Sequence, residues 1–504
     1  MKKILLFIVF IFLGNTSYSQ IKLSKETNIS NNKLDFYYIE GEVKGMRDTT
    51  VILAYYYGGK QYAQDTAKSI NGKFIFEGNK KLSGGMYLVV LPDGKYFDII
   101  ISEQKINFST EINSLVESMY FVESEENTPF YEYLNYIISK QKEVNPLKQE
   151  QQNTNLSNIE KEKIKDLITN IDNDVRNYKS NFIDTYPNIF FTKIINATTE
   201  PEPIKITDKS LSEQEIQIIQ FEHYKNQFWE NIDFSDERIL RTPIFFNKMD
   251  MYLNKLTIQH PDSIKKSADI LIKYSLKNKD IFKYVVNHIT STYERSKIMG
   301  MDAIFVHMVE NYYMTKMVDW IDEDQLEKIE ERAEKIAPNL IGRQAPAFID
   351  QLGNPFMRDQ DNIIQRLYDV KSEYTLLVFY SPDCGHCKKT IPKIKIVVDS
   401  LTKKPQLFSN HKPIDIKTYA VQTEFDREAW IEFISEKDIS NWTNVCDIVE
   451  DPDGNPAASS NWRDQYDIYS TPVIYLLDKD KKILAKRISH SQISKIISRY
   501  NNTN

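Results

Sequence analysis

FYSPDCGHCKKTIPKI, residues 379–394, holds two of the chain's three cysteines with two residues between them. Just upstream, YTLLVFY at 374–380 is a short apolar run of strand formers, the pattern of a strand covered on both faces in a parallel sheet. Ser381-Pro382-Asp383 ends it, and Ile391, Ile394, Val398 and Leu401 then recur at helical spacing. The pair therefore falls at a strand-to-helix junction, with Cys384 at the helix N-terminus. There, unpaired N–H groups and the positive end of the helix dipole stabilise an anion.

A thiolate, not a thiol, attacks a disulfide, and a helix N-terminus lowers the pKa of a cysteine placed on it. Cys384 is the expected nucleophile. Cys387, one turn into the helix, is the expected resolving thiol, which attacks the mixed disulfide and releases the product. Gly385 and His386 are the spacer. An imidazole at His386 favours the Cys384 thiolate, whereas Asp383 opposes it.

Two other uses of the pair are weaker. A structural zinc site needs four N or S ligands, and one further cysteine with no paired histidine motif does not supply them. A purely structural bridge across so small a loop constrains the unfolded chain little. No metal is expected, and no cofactor beyond a redox-active Cys384–Cys387 disulfide.

Downstream, SNWTNVCDIV reads as a strand and NWRDQYDI as a short helix. YSTPVIYLLDKDKKILAKRIS reads as two strands about an Asp-Lys-Asp-Lys turn, and SQISKIISRY as a closing helix. This alternation predicts a central sheet with helices on both faces. Cys446 is either a small buried hydrophobe at a strand end or a third redox partner.

With 504 residues the chain exceeds one hydrophobic core, and several domains are expected. Between Leu34 and Thr110, short β-branched and aromatic segments are broken by Gly, Asn and Asp, which predicts an antiparallel sandwich over 20–127. Asn71-Gly72 has the signature of a tight hairpin, with Phe74 and Phe76 sharing a face. After Thr128 the period becomes helical: Phe282, Val285, Val286 and Ile289 follow a one-sided helix. Ser212 with Glu215 and Asp322 with Gln325 mark helix starts. A helical domain is expected over 128–337, with its boundary at the Pro- and Gly-rich stretch near 338. Its histidines, His223, His260, His288 and His307, lack companions at ligand spacing.

Residues 1–19 begin with Lys2 and Lys3, continue through ten apolar residues from Ile4 to Leu13 and end in small residues. This is the pattern of a secretory signal peptide, too short to span a bilayer. An exported mature chain with no transmembrane span is expected, in a compartment where disulfides persist. Net charge is -7, with 64 basic and 71 acidic residues interspersed. Such a chain lacks the one-sided positive field that nucleic acid requires.

IGRQAPAF at 341–348, LLVFYSPDCGHC at 376–387, Pro392 and YSTPVIYLLDKD at 469–480 resemble the thioredoxin superfamily. More narrowly, they are similar to exported TlpA/ResA-like thiol-disulfide oxidoreductases, including those of Bacteroidota type with N-terminal β and helical accessory segments. The resemblance implies a thioredoxin-like α/β domain over 338–504, and a multidomain α+β chain overall. It also implies a cis peptide at Thr471-Pro472 facing the cysteines, whose backbone docks the substrate as an added strand. Two departures stand out. Asp383 occupies a position where a tryptophan commonly precedes the first cysteine, and Val378 replaces the buried acid that relays protons in thioredoxin. Cys-Gly-His-Cys is also the pair of protein disulfide isomerase, which implies a less reducing couple.

The resulting expectation is a periplasmic thiol-disulfide oxidoreductase of the cell envelope. It exchanges disulfides with envelope proteins as a reductant and is recharged by an envelope electron donor. Two rivals stand beside it: a disulfide oxidase or isomerase, and a partner-binding protein whose redox domain is regulatory or vestigial.

Overall fold

The computed structural model describes residues 36–153, 156–403, 413–424, 426–450, 456–458 and 461–503. The signal peptide expected over 1–19 lies outside these residues. Among the described residues no helix is long and apolar enough to cross a membrane. Contacts divide the chain into two compact units, one of residues up to 258 with 271–282, the other of 259–270 with 283 onward.

The first unit opens with β1 (Tyr37–Lys44), β2 (Thr50–Tyr57), β3 (Lys60–Lys68), β4 (Lys73–Gly78), β5 (Gly85–Val90), β6 (Tyr96–Ile101), β7 (Lys105–Glu111) and β8 (Tyr120–Phe121). They form two four-stranded sheets, ordered β4-β1-β7-β8 and β3-β2-β5-β6. Neighbours are antiparallel except β1 and β7, which run parallel. Alternation in β1 buries Tyr37, Ile39, Gly41 and Val43. Phe97 of one sheet meets Phe108 of the other edge-on at 5.4 Å, closing the sandwich. Gly41 is required by this packing, because a Cβ there would lie 2.5 Å from the Phe108 ring and 2.6 Å from that of Phe74.

At Asn71-Gly72 both φ angles are positive, 51° and 79°, and Ile70 bridges Lys73 as a tight turn demands. The flanking strands do not pair as the expected hairpin, however: β3 belongs to one sheet and β4 to the other. The turn carries the chain between the layers.

Helices follow as α1 (Asn127–Gln151), α2 (Asn158–Thr185), α3 (Phe190–Ala197), α4 (Glu213–Gln227) and α5 (Pro243–Asn254). Ser212 and Glu215 form the reciprocal cap of α4. The start of α1 is fixed to β6 by Asn127, whose side chain accepts from the Ile100 N–H at 2.7 Å and donates to its carbonyl at 2.9 Å. Next to it, the buried Glu126 carboxylate accepts from the N–H groups of Phe190 and Phe191 at 3.0 and 2.7 Å, satisfying the first turn of α3. Two further helices, α6 (Pro261–Ser275) and α7 (Lys279–Glu294), contribute residues to both units.

In the second unit α8 (Asp302–Met308) runs into a π-helical turn at Val309–Tyr313 and is followed by α9 (Glu323–Ile336), whose first turn is capped by Asp322. The chain then forms β9 (Tyr374–Tyr380), α10 (Gly385–Thr402), β10 (Ile416–Gln422), α11 (Arg427–Glu436), β11 (Thr443–Val445), β12 (Ile448–Glu450) and β13 (Pro456–Ala458). It ends with α12 (Trp462–Gln465), β14 (Val473–Leu477), β15 (Ile483–Lys486) and α13 (Ile493–Thr503). The central sheet is ordered β11-β10-β9-β14-β15. β9, β10 and β11 are parallel, and β14 and β15 join antiparallel.

Every residue of β9 is buried, as its unbroken apolar run requires. Leu376, Val378 and Tyr380 face one core with Cys387 and Ile391 of α10, while Leu377 and Phe379 face another with Trp462 and Tyr466. This two-sided sheet is the thioredoxin-like α/β arrangement. With the sandwich and the helices it makes the chain a multidomain α+β protein.

Candidate active site

The site begins where β9 ends. Ser381 receives the Cys384 N–H on its carbonyl at 3.2 Å, turning the chain into α10. Cys384 is the helix N-cap, with φ -71° and ψ 115°, and its sulfur accepts the Cys387 N–H at 3.2 Å. A sulfur in this place does what a serine or aspartate oxygen does at other helix starts, satisfying an otherwise unpaired donor.

Facing it across the sheet edge is Thr471, in the loop ahead of β14. The Cys384 thiol donates to the Thr471 carbonyl oxygen at 3.2 Å, and the Thr471-Pro472 peptide is cis. Both loop residues are half-buried, as is Cys384, whereas Cys387 is fully buried. Cys384 and Cys387 are in the dithiol form, not joined in a disulfide.

The two thiols of the pair differ electrostatically. Partial burial pushes the Cys384 thiol up. Hydrogen bonds from the side chains of Cys387 and Thr471, and from the N–H groups of Cys387 and His386, outweigh that and hold it below the usual thiol range. Burial, joined by the hydrogen bond to Cys384, pushes the Cys387 thiol up to about 12. One sulfur is thus reachable and inclined to ionise, and the other is enclosed and holds its proton. Such a pair can attack a disulfide with the first sulfur and close on itself with the second.

Asp383 and His386 are exposed beside the pair, and His386 reaches the Cys384 sulfur through its backbone. A Cβ on Gly385 would meet nothing within 4 Å, so packing does not demand a glycine there. Val378 is fully buried in the core that holds Cys387. Two residues on, Tyr380 faces the same core and its hydroxyl accepts the Trp430 indole N–H at 2.9 Å. Cys446 is buried in that core as well, while its backbone N–H and carbonyl each pair with Arg358 at 2.9 Å.

Sequence spacing gave no pointer to three residues near this edge: Arg332, Asp467 and Tyr469, in α9 and in the segment leading to Thr471. It also missed that His307 meets the Asp269 carboxylate at 2.8 Å, because the partners are 38 residues apart.

Two family models match the upstream part of the chain, each described as a domain of unknown function: DUF4369 over residues 37–130 and DUF5106 over 214–339. Among curated proteins none matches. Solved structures similar to the chain include a domain of a possible thiol-disulfide isomerase from Cytophaga hutchinsonii. It is 33% identical, with 33% of this chain and 97% of that one covered and a TM-score of 0.26. A thioredoxin-like protein from Bacteroides caccae is 18% identical, with 60% and 98% covered and a TM-score of 0.40. The thioredoxin domain of a thiol-disulfide oxidoreductase from Bacteroides vulgatus is 25% identical, with 32% and 96% covered and a TM-score of 0.24. By the identity to the Cytophaga domain over nearly its whole length, and by its own strand order and cysteine placement, the chain belongs through its last third to the thioredoxin superfamily.

Proposed function

We propose that this protein is an exported thiol-disulfide oxidoreductase that reduces disulfides in proteins of the cell envelope. In the first step the Cys384 thiolate attacks one sulfur of a substrate disulfide. A mixed disulfide forms, and the other substrate sulfur leaves as a thiolate that takes up a proton. In the second step Cys387 gives up its proton and attacks the Cys384 sulfur. The Cys384–Cys387 disulfide forms as the second substrate thiol is released, so the substrate is reduced by two electrons and the pair is oxidised. A dithiol donor of the envelope returns the pair to its starting state.

The observation that carries this reading is the position of the Cys384 sulfur. It caps α10, accepts the Cys387 N–H and lies 3.2 Å from the Thr471 carbonyl, at an edge where an extended substrate backbone can align along Thr471 and Pro472. The charged, then apolar, then small-residue leader supports export to the periplasm. The name of the Bacteroides vulgatus relative, a thiol-disulfide oxidoreductase, points the same way.

Insulin reduction by the full mature chain tests it. Cys384→Ser should abolish turnover, and Cys387→Ala should accumulate an insulin adduct that dithiothreitol releases. Unchanged turnover in Cys384→Ser would refute the assignment. The reduction potential of the pair decides direction, because a couple more oxidising than its envelope partners would work as an oxidase or isomerase instead.

A further inference from the structure

The segment that carries Thr471 is held partly by a residue from outside the thioredoxin-like sheet and its helices. α12 ends at Gln465, and the chain then passes through Asp467, whose φ of 53° lies in the left-handed region. Aspartate enters that region more readily than most residues, but it still needs outside support. The Asp467 carboxylate, 9% exposed, is gripped on both oxygens. Arg487, just after β15, donates to Oδ2 at 2.6 Å and also to the Asp467 carbonyl oxygen. Arg332, in α9, donates to Oδ1 at 2.6 Å.

The same guanidinium lies 5.9 Å from the centroid of the Tyr469 ring. That ring is 65% exposed and stands two residues before Thr471. A second tie reinforces the first. Asn339, at the end of the helical segment, donates to the Gln465 carbonyl at 3.0 Å and accepts from the buried Lys486 ammonium at 2.6 Å, which also pairs with Asp302 at 2.5 Å. Charge-assisted bonds of this length between partly desolvated groups hold geometry better than surface pairs do.

We propose that Arg332 is a positioning residue for the redox site. By fixing Asp467 and flanking Tyr469, it presets the edge along which a substrate protein's extended backbone docks beside Cys384. The inference rests on the thiol-disulfide exchange proposed above and adds that a helix outside the thioredoxin-like fold builds part of its docking edge. Tyr469 supplies an apolar face at the rim of that edge. A loosened edge lowers the fraction of encounters that bring a substrate disulfide in line with the Cys384 sulfur, a cost of orientation borne mainly in KM.

The test compares insulin reduction by full-length wild type, Arg332→Gln and Arg332→Lys, with folding checked by circular dichroism. Arg332→Gln should raise KM roughly tenfold with kcat changed far less, and Arg332→Lys, which keeps a cation near Asp467, should recover most of the loss. An unchanged KM in folded Arg332→Gln, or a lysine variant no better than the glutamine one, would overturn the proposal. Should Arg332→Gln fail to fold, Tyr469→Ala removes an exposed ring and should raise KM in the same sense, and an unchanged KM there would likewise overturn it. Failure of the underlying redox reading looks different: Cys384→Ser would then reduce insulin as fast as wild type.

Discussion

The Cys384 sulfur and the Thr471 carbonyl oxygen stand 3.2 Å apart although 87 residues separate them in the chain. This contact joins the start of α10 to the loop before β14, across two neighbouring strands of the sheet. It also gives Cys384 two different surroundings: backbone N–H groups of its own helix on one side, and a carbonyl acceptor on the other. The first favours the thiolate, and the second marks where a backbone running beside the sulfur would align.

Cys384 and Cys387 should titrate as a coupled pair. Since the Cys387 side chain helps to hold Cys384 below the usual thiol range, Cys387→Ala should move the alkylation midpoint of Cys384 upward. Iodoacetamide rates measured between pH 5 and 10 on both proteins, a range chosen to bracket the free-thiol value of about 8.5, read this directly. A midpoint that stays put or falls would show that the second sulfur does not stabilise the first.

Asp98, buried in the sandwich within reach of the Tyr56 hydroxyl at 3.4 Å, should make stability pH-dependent. Burial pushes its carboxyl up to about 7, against the hydrogen bond from Tyr56, which pulls it down. The folded state therefore binds the proton more tightly than the unfolded state. Its stabilising effect is complete below the unfolded value near 3.8 and is lost as pH rises toward 7. Urea unfolding should show Asp98→Asn gaining on wild type by roughly 1–4 kcal/mol between pH 4 and pH 8. Parallel stability curves for the two proteins would contradict this.

Asn127 should matter far more than an ordinary polar residue at a helix start. Its amide closes on both backbone groups of Ile100, so Asn127→Ala leaves a buried N–H and a buried carbonyl without that partner. The expected cost is about 2–4 kcal/mol in urea unfolding. A loss below about 0.5 kcal/mol, the usual size of a surface substitution, would mean that water or a backbone shift replaces both bonds.

Much of the redox site was legible because its parts lie close together in sequence. A buried strand, a turn and a one-sided helix place Cys384 at a helix start by local pattern alone, and Ser212 with Glu215 marks α4 by the same kind of short-range rule. The turn at Asn71-Gly72 was legible as a turn, but its role was not. Dihedral preference fixes the bend, whereas which sheet receives the next strand depends on side-chain burial many residues away. Arg332 and Asp467 are 135 residues apart, each an unremarkable charge in its own surroundings, and only the packing of α9 beside α12 brings them together. Likewise, the valine at 378 removes an expected acid, while the nearby hydroxyl of Tyr380 and the shared core with Cys446 come from the assembled sheet.

The central claim is that Cys384, held below the usual thiol range, is the one thiol of the three that is open to attack. Alkylation of the fully reduced full-length protein at pH 7, with each cysteine followed by peptide mass spectrometry, tests it most directly. Cys384 should be modified first, with Cys387 and Cys446 protected until the protein unfolds. Modification of Cys387 or Cys446 ahead of Cys384, or a Cys384 that stays unmodified, would contradict the account.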